Sequence, residues 1–548
     1  MTKRGKTALL LLGAALILGS GCGKKPAAPQ TSPPAVAGTI RPIRGTVVVR
    51  GSDVKVLNPL SRKSGSDFNV LKYYINPFLL TEEPDTFALV PWLAASLPRV
   101  STDGLTVDWT IRDEAMWQDG VPVSGEDAAF TWRLLASGEA GFKNVHGALG
   151  DIASVTATGS KTFRVVYKTL YYRAVASLGL EFGLVPKHAT PADPAAAAAL
   201  RQTTYCGPYR IVDWADGQLK LDRVDPWWGD GLPAFRSKWR IRRFVVKSID
   251  DPVQVVEQLR AGLLDLTSFD NFADFVTKTK DADFTANFGK LHYHLVNWMQ
   301  IAWNCADPLF TDARVRRAMS HAIRRDEISQ VDFDGLARSV TGPFPRDSEL
   351  SDQTIAPHPY SLPKARDLLK EAGWSDTDKD GVLDKDGLAF RFSLLRPSKS
   401  LAWLNTPIAF LREDLRSLGI VMEVVKDEEL FKHGGEHLFQ ALIIQWSFDA
   451  VDPDPWSLLH SQETAGGFNW ANYKSAQMDA LLELYRKERD LKNTRILAHR
   501  IHRVLHDDQP ISFILNPPIG LAWSKRLQGV QAHKLGFRQW DFWVDDDR

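Results

Sequence analysis

Residues 390–425, FRFSLLRPSKSLAWLNTPIAFLREDLRSLGIVMEVV, hold the pattern that decides the fold. Phe390, Phe392 and Leu394 alternate with Arg391 and Ser393, which is the period of a half-buried strand reaching to Leu395. Thr406-Pro407 then opens a helix, with proline early, where its missing N–H costs nothing. Ile408, Leu411, Leu415 and Leu418 fall on one face of that helix, Gly419 ends it, and Ile420 to Val425 returns as a strand. Leu438 to Trp446 adds a further apolar strand. A second unit of this kind lies far upstream. Trp239 to Val246 alternates as a strand, and Asp250 and Asp251 offer a cap before Pro252. Val255, Val256 and Leu259 repeat at helical spacing, and Gly262 stops the helix before the strand Leu263 to Phe269. Two α/β regions so widely separated predict two lobes, each a sheet covered by helices, with a cleft between them.

The segment 71–190 differs from both. Leu105 to Thr110 and Phe163 to Tyr167 alternate as strands, and a helix falls near Glu126 to Ala136, so an extra α+β domain is expected there. Amphipathic helices are also predicted after Asp312, with Val315, Ala318, Met319, Ala322 and Ile323 on one face, and at Leu368, Leu369 and Ala372 before Gly373. A chain of 548 residues exceeds what one core can hold. Its 67 Lys and Arg balance 66 Asp and Glu, a net charge of +1 that leaves no field to gather nucleic acid. The 18 Trp and 27 Phe are a heavy aromatic load, mostly core but suited to clamping a ligand.

The first residues are addressed to export. Lys3, Arg4 and Lys6 precede an uncharged run from Ala8 to Gly21 that is too short to span a bilayer. Gly19-Ser20-Gly21-Cys22 resembles a bacterial lipobox, so residues 1–22 read as a lipoprotein signal peptide, with Cys22 lipidated and anchored on the periplasmic or cell-surface side of a membrane. Residues 23–44, rich in Pro and small residues, form a flexible tether. Cys206 and Cys305 stand either as a disulfide or as two buried thiols.

A series of local phrases follows in order: Leu57-Asn58-Pro59-Leu60, Pro91-Trp92-Leu93-Ala94, Trp117-Gln118-Asp119-Gly120, Val185-Pro186-Lys187-His188, Cys206-Gly207-Pro208-Tyr209, Asp312 to Ala318, and Trp446 with Asp452-Pro453. Together they resemble family 5 of the extracellular solute-binding proteins, the dipeptide- and oligopeptide-binding components of ABC importers. The resemblance implies a two-lobed periplasmic-binding-protein fold of type II with an extra α+β domain. It also implies the division: lobe I from 45–70, 191–297 and 508–548, the extra domain II from 71–190, and lobe III from 298–507. The implied protein is a monomer that closes on a short peptide and presents it to importer permease subunits.

A peptide zwitterion entering a closed cleft needs a carboxylate for its ammonium and a guanidinium for its C-terminus, because buried charges are tolerated only when paired. Asp449 resembles the family residue that receives the amine, and Arg396, ending the strand Phe390 to Leu395, resembles the one that holds the carboxylate. Both end strands of one lobe, where open α/β sheets place ligands. Trp446 and Trp403 lie beside these charges as candidates for stacking on ligand side chains, and Asn304, beside Trp303, begins a segment that in the resembled family crosses between lobes, which makes it a candidate ligand contact or only a hinge.

Other motifs carry less. Residues 376–387 supply the carboxylate spacing of a calcium loop, but Gly387 stands where the bidentate Glu belongs, so a solvated turn is expected. His433-Gly434-Gly435-Glu436-His437 fits a metalloprotease spacing that two glycines spoil. No nucleophile elbow or phosphate loop occurs, and binding without turnover is the expectation, with no cofactor or metal. The alternatives are another solute, such as an oligosaccharide or metal chelate, and a surface lipoprotein serving as chaperone or scaffold.

Overall fold

Residues 41–51, 53–61, 65–139, 149–201, 204–398, 402–448, 453–534 and 536–547 are described by a computed structural model. The signal peptide, the tether to residue 40, Cys22 and Asp449 lie outside the described residues.

The stretch 390–425 folds as its periodicity predicts. Arg391–Pro397 is a strand, Asn405–Ser417 a helix and Val421–Asp427 the next strand, paired in parallel with Phe392 opposite Met422. The helix ends because Gly419 adopts a left-handed φ of +81°, which a side chain resists. These strands belong to a five-stranded sheet in the order Val421–Asp427, Arg391–Pro397, Ala441–Ser447, Asn297–Trp303, Ile511–Phe513.

The upstream unit also forms, with strands Ile241–Ser248 and Leu266–Phe269 joined by the helix Pro252–Arg260, whose cap is Asp251. Its two strands are not neighbours. The strand Arg44–Gly51 lies between them and pairs in parallel with both, Val49 facing Val246 on one side and Leu266 on the other. The seven-stranded sheet is completed by Tyr209–Ala215, Gln218–Arg223, Phe288–Tyr293 and Ile519–Ser524. A separate four-stranded antiparallel sheet, Arg99–Val100, Thr106–Thr110, Thr162–Tyr167 and Ile152–Ala157, is covered by the helix Gly125–Leu135, an α+β element within the segment 71–190. Arg41–Arg548 form one compact unit. Among the described residues no helix is long and apolar enough to cross a membrane.

None of the 18 Trp residues is exposed. Most are packing residues, as in the cluster of Trp92, Trp239 and Trp540 beneath the large sheet. The open choice for the cysteines resolves to two free thiols. Burial pushes both thiols up, Cys305 to about 11, so neither is a thiolate at neutral pH.

Candidate functional site

Strand direction locates the cleft. In the five-stranded sheet, Arg391–Pro397, Val421–Asp427 and Ala441–Ser447 run parallel and end at one edge. Asn297, opposite Ser447, begins its antiparallel strand at that same edge. In the seven-stranded sheet, Arg44–Gly51, Ile241–Ser248 and Leu266–Phe269 end together at an edge where Tyr293 and Ile519 pair. The chain passes between the sheets at 293–297 and at 513–519. Both crossings therefore join the two edges at which parallel strands terminate, the position where open α/β sheets bind ligands.

Asn516 ties the crossings together. Its side-chain amide donates to the carbonyls of Leu295 (3.0 Å) and Asn297 (2.6 Å), while its backbone pairs both ways with Arg338. A cavity of about 400 Å³ beside the crossings is lined by Tyr293, His294, Trp298, Arg338, Phe344 and His533. Burial, with the nearby Arg338 charge adding to it, holds the His294 imidazole down at about 4, so it is neutral at physiological pH.

Arg396 lies at the strand-terminal edge and is only 7% exposed. One guanidinium nitrogen donates to the Asn405 side-chain oxygen at 3.0 Å. Its Nε is buried without a hydrogen-bond partner, and among the described residues no carboxylate forms an ion pair with it. Trp403 lies in the apolar cluster of Phe392, Leu394 and Ile408, on the face that Arg396 shares with Leu394 by strand alternation. Trp446 reaches the same edge on the opposite face, with Leu442 and Ile444, and meets Phe468 and Trp470 edge to face at 5.5 and 5.2 Å. Its indole N–H is also buried without a partner.

Asn304 does not join these residues. It follows the last residue of Asn297–Trp303, at the far edge of the sheet from the crossing, and its amide donates to the carbonyls of Phe439 (2.9 Å) and His437 (3.3 Å). A buried amide so engaged pins two segments together, and the expected hinge or ligand role gives way to that structural one. His437 is likewise committed, each ring nitrogen within hydrogen-bond distance of a carbonyl, of Trp470 and Thr464. Asp376, Asp378 and Asp384 gather carboxylate oxygens within 4.8 Å of one another and are the residues that could hold a cation, although Asp384 already accepts from Thr377.

Periodicity missed two groups. Asp332, next to last in the helix Arg325–Phe333, accepts from the Thr406 hydroxyl at 2.7 Å, and its other oxygen is buried without a partner. Burial holds its carboxyl above the usual range. Between the small sheet's domain and the five-stranded lobe, the Tyr171 hydroxyl donates to Asp454 (3.2 Å), Arg486 reaches Asp454 (2.9 Å) and Asp151 (3.3 Å), and the Tyr172 hydroxyl donates to the Pro453 carbonyl. These bonds fasten the small sheet's domain to the five-stranded lobe. Asp454 directly follows Asp452-Pro453 in the sequence, but nothing local joins it to Tyr171.

The family model of the bacterial extracellular solute-binding proteins, family 5, matches residues 88–468. The chain belongs to that family. It is 26% identical to the oligopeptide-binding protein AppA of Bacillus subtilis over 97% of both chains. The structure of AppA with a nonapeptide superposes with a TM-score of 0.76 at 23% identity, covering 92% of this chain and all of AppA. NikA of Brucella suis with Fe(III)-EDTA gives 0.79 at 17% identity, covering 91% of this chain and all of NikA. The fold is thus the two-lobed α/β periplasmic-binding architecture with its additional α+β domain.

Proposed function

We propose that this solute-binding protein captures short peptides between its lobes and delivers them, without chemical turnover, to the permease subunits of an ABC importer. It does so as a monomer held outside the cytoplasm by a lipid on Cys22. Lobe I comprises 45–70, 191–297 and 508–548, domain II 71–190, and lobe III 298–507. The observation that carries the ligand class is Arg396. A buried guanidinium with no carboxylate partner among the described residues costs stability unless something supplies the missing anion, and a peptide C-terminus does. Asp449 receives the peptide amine, and Trp446 offers an aromatic wall to a side chain. The oligopeptide-binding relative supports a peptide.

Titration calorimetry with paired dipeptides tests this. Free-acid peptides bind, and their C-terminal amides lose at least about tenfold, roughly 1.4 kcal/mol. Arg396→Met abolishes that difference. Equal binding of acids and amides to the unaltered protein removes Arg396 from its role. Because NikA holds a metal chelate rich in carboxylates, a chelate that competes while no peptide binds would replace the peptide reading.

A further inference from the structure

Arg396 is not the only unpaired charge at this edge. Asn405 accepts from Arg396, and the next residue, Thr406, donates to Asp332. Adjacent Cα atoms are about 3.8 Å apart, so both charged groups are held against the first turn of the helix Asn405–Ser417, one through each of two consecutive residues. They do not pair with each other: each is engaged by a neutral side chain, and each keeps a buried polar atom without a partner, Nε of Arg396 and Oδ2 of Asp332. A cation and an anion tethered to consecutive residues, each keeping one buried polar atom unsatisfied, are complementary to a solute carrying the reverse arrangement.

The position of Asp332 adds to this. It sits in the last turn of Arg325–Phe333, the negative end of the helix dipole, where a carboxylate is disfavoured. Phe333 beside it is 2% exposed and packs against Phe272 across the junction of the two large lobes, so the residue lies where the lobes meet rather than on an outer face. A charge kept at the wrong end of a helix, half-buried and incompletely bonded, departs from what stability alone selects, and such departures concentrate at functional sites.

We propose that Asp332 and Thr406 form a subsite beside Arg396 for a cationic side chain, making the preferred ligands short peptides with Lys, ornithine or Arg near the free C-terminus. This rests on Arg396 holding that C-terminus. The carboxylate of such a residue meets Arg396 while its ammonium or guanidinium reaches the unpartnered oxygen of Asp332. Norleucine, similar in length but uncharged, leaves Asp332 with only Thr406.

The test compares Ala-Lys with Ala-norleucine, and Ala-Ala-Lys with Ala-Ala-norleucine, by calorimetry on the full mature chain. The lysine member of a pair binds about tenfold more tightly, the worth of one charge-assisted contact in a partly dry site. In Asp332→Asn the ratio measured on that variant collapses toward one, and in Asp332→Glu it persists. Equal affinity for both members on the unaltered protein overturns the subsite while leaving the peptide reading intact. Failure of every peptide to bind overturns both. The comparison on the unaltered chain decides the matter even where a variant does not fold.

Discussion

The five-stranded lobe is joined to the rest of the molecule in two physically different ways. Toward the seven-stranded lobe the joint is apolar: Phe272 and Phe333, 3% and 2% exposed, lie in one cluster with Phe275, Met299 and Trp303, continuous from lobe to lobe. Toward the small sheet's domain it is mainly polar: Tyr171, Tyr172, Asp151, Asp454 and Arg486 meet at a rim through hydrogen bonds and ion pairs, with the Tyr172 ring packed on Tyr485. Apolar contact has no second satisfied state, because separating it exposes surface at about 25 cal/mol per Å². Polar contact does, because water takes over each bond that breaks. The molecule can therefore open at the rim while its lobes remain joined on the apolar side.

The largest effect should come from the apolar joint. Phe272→Ala or Phe333→Ala is expected to cost about 3–5 kcal/mol, read from urea unfolding, and to blunt the cooperativity between lobes. A loss below about 1 kcal/mol would mean that the lobes do not depend on that seam.

Acid should act next, and inside the five-stranded lobe rather than at the rim. His502 is fully buried and held down to about 4 chiefly by burial. The unfolded chain takes up that proton near 6.5, so the contribution of neutral His502 is fully present above about pH 6.5 and is lost as pH falls toward 4, about 3 kcal/mol in all. His358, held down to about 3, acts in the same direction over a wider window. Melting temperatures between pH 7 and 4.5 should fall in the parent and fall less in His502→Gln. An equal slope in both would assign the acid sensitivity elsewhere.

The smallest effect on global stability belongs to the rim. Tyr171→Phe and Asp151→Asn are each expected to cost no more than about 1 kcal/mol in unfolding yet to shorten ligand residence several-fold, the second more strongly at low salt. Stopped-flow dissociation checks this, and unchanged off-rates would detach the rim from closure.

Legibility in the sequence followed distance along the chain. Residues 390–425 could be read because neighbours in sequence are neighbours in the sheet, so one period-2 run, one helix and one stop define the unit. The seven-stranded sheet could not, since Arg44–Gly51 slides between two strands some 200 residues away and no local pattern encodes that insertion. Arg396 was visible as a charge ending an apolar strand. Asp332 was not, because an acidic residue between Val331 and Phe333 looks like any solvated turn of a helix until Thr406 arrives from another element. Asn304 misled because the resemblance supplied a crossing segment without its polarity: the chain crosses where the strand begins, at Asn297.

The placement of the two crossings also bears on how the protein is made. Everything between them, from Asn297 to Phe513, closes its five-stranded sheet from contiguous chain, whereas the other sheet waits for Ile519–Ser524 to fill the gap between Leu266–Phe269 and Phe288–Tyr293. During folding the middle of the polypeptide can mature while the seven-stranded sheet stays unfinished. The final strand to emerge then acts as the keystone, and truncation just before residue 519 should leave a folded centre carrying two frayed arms.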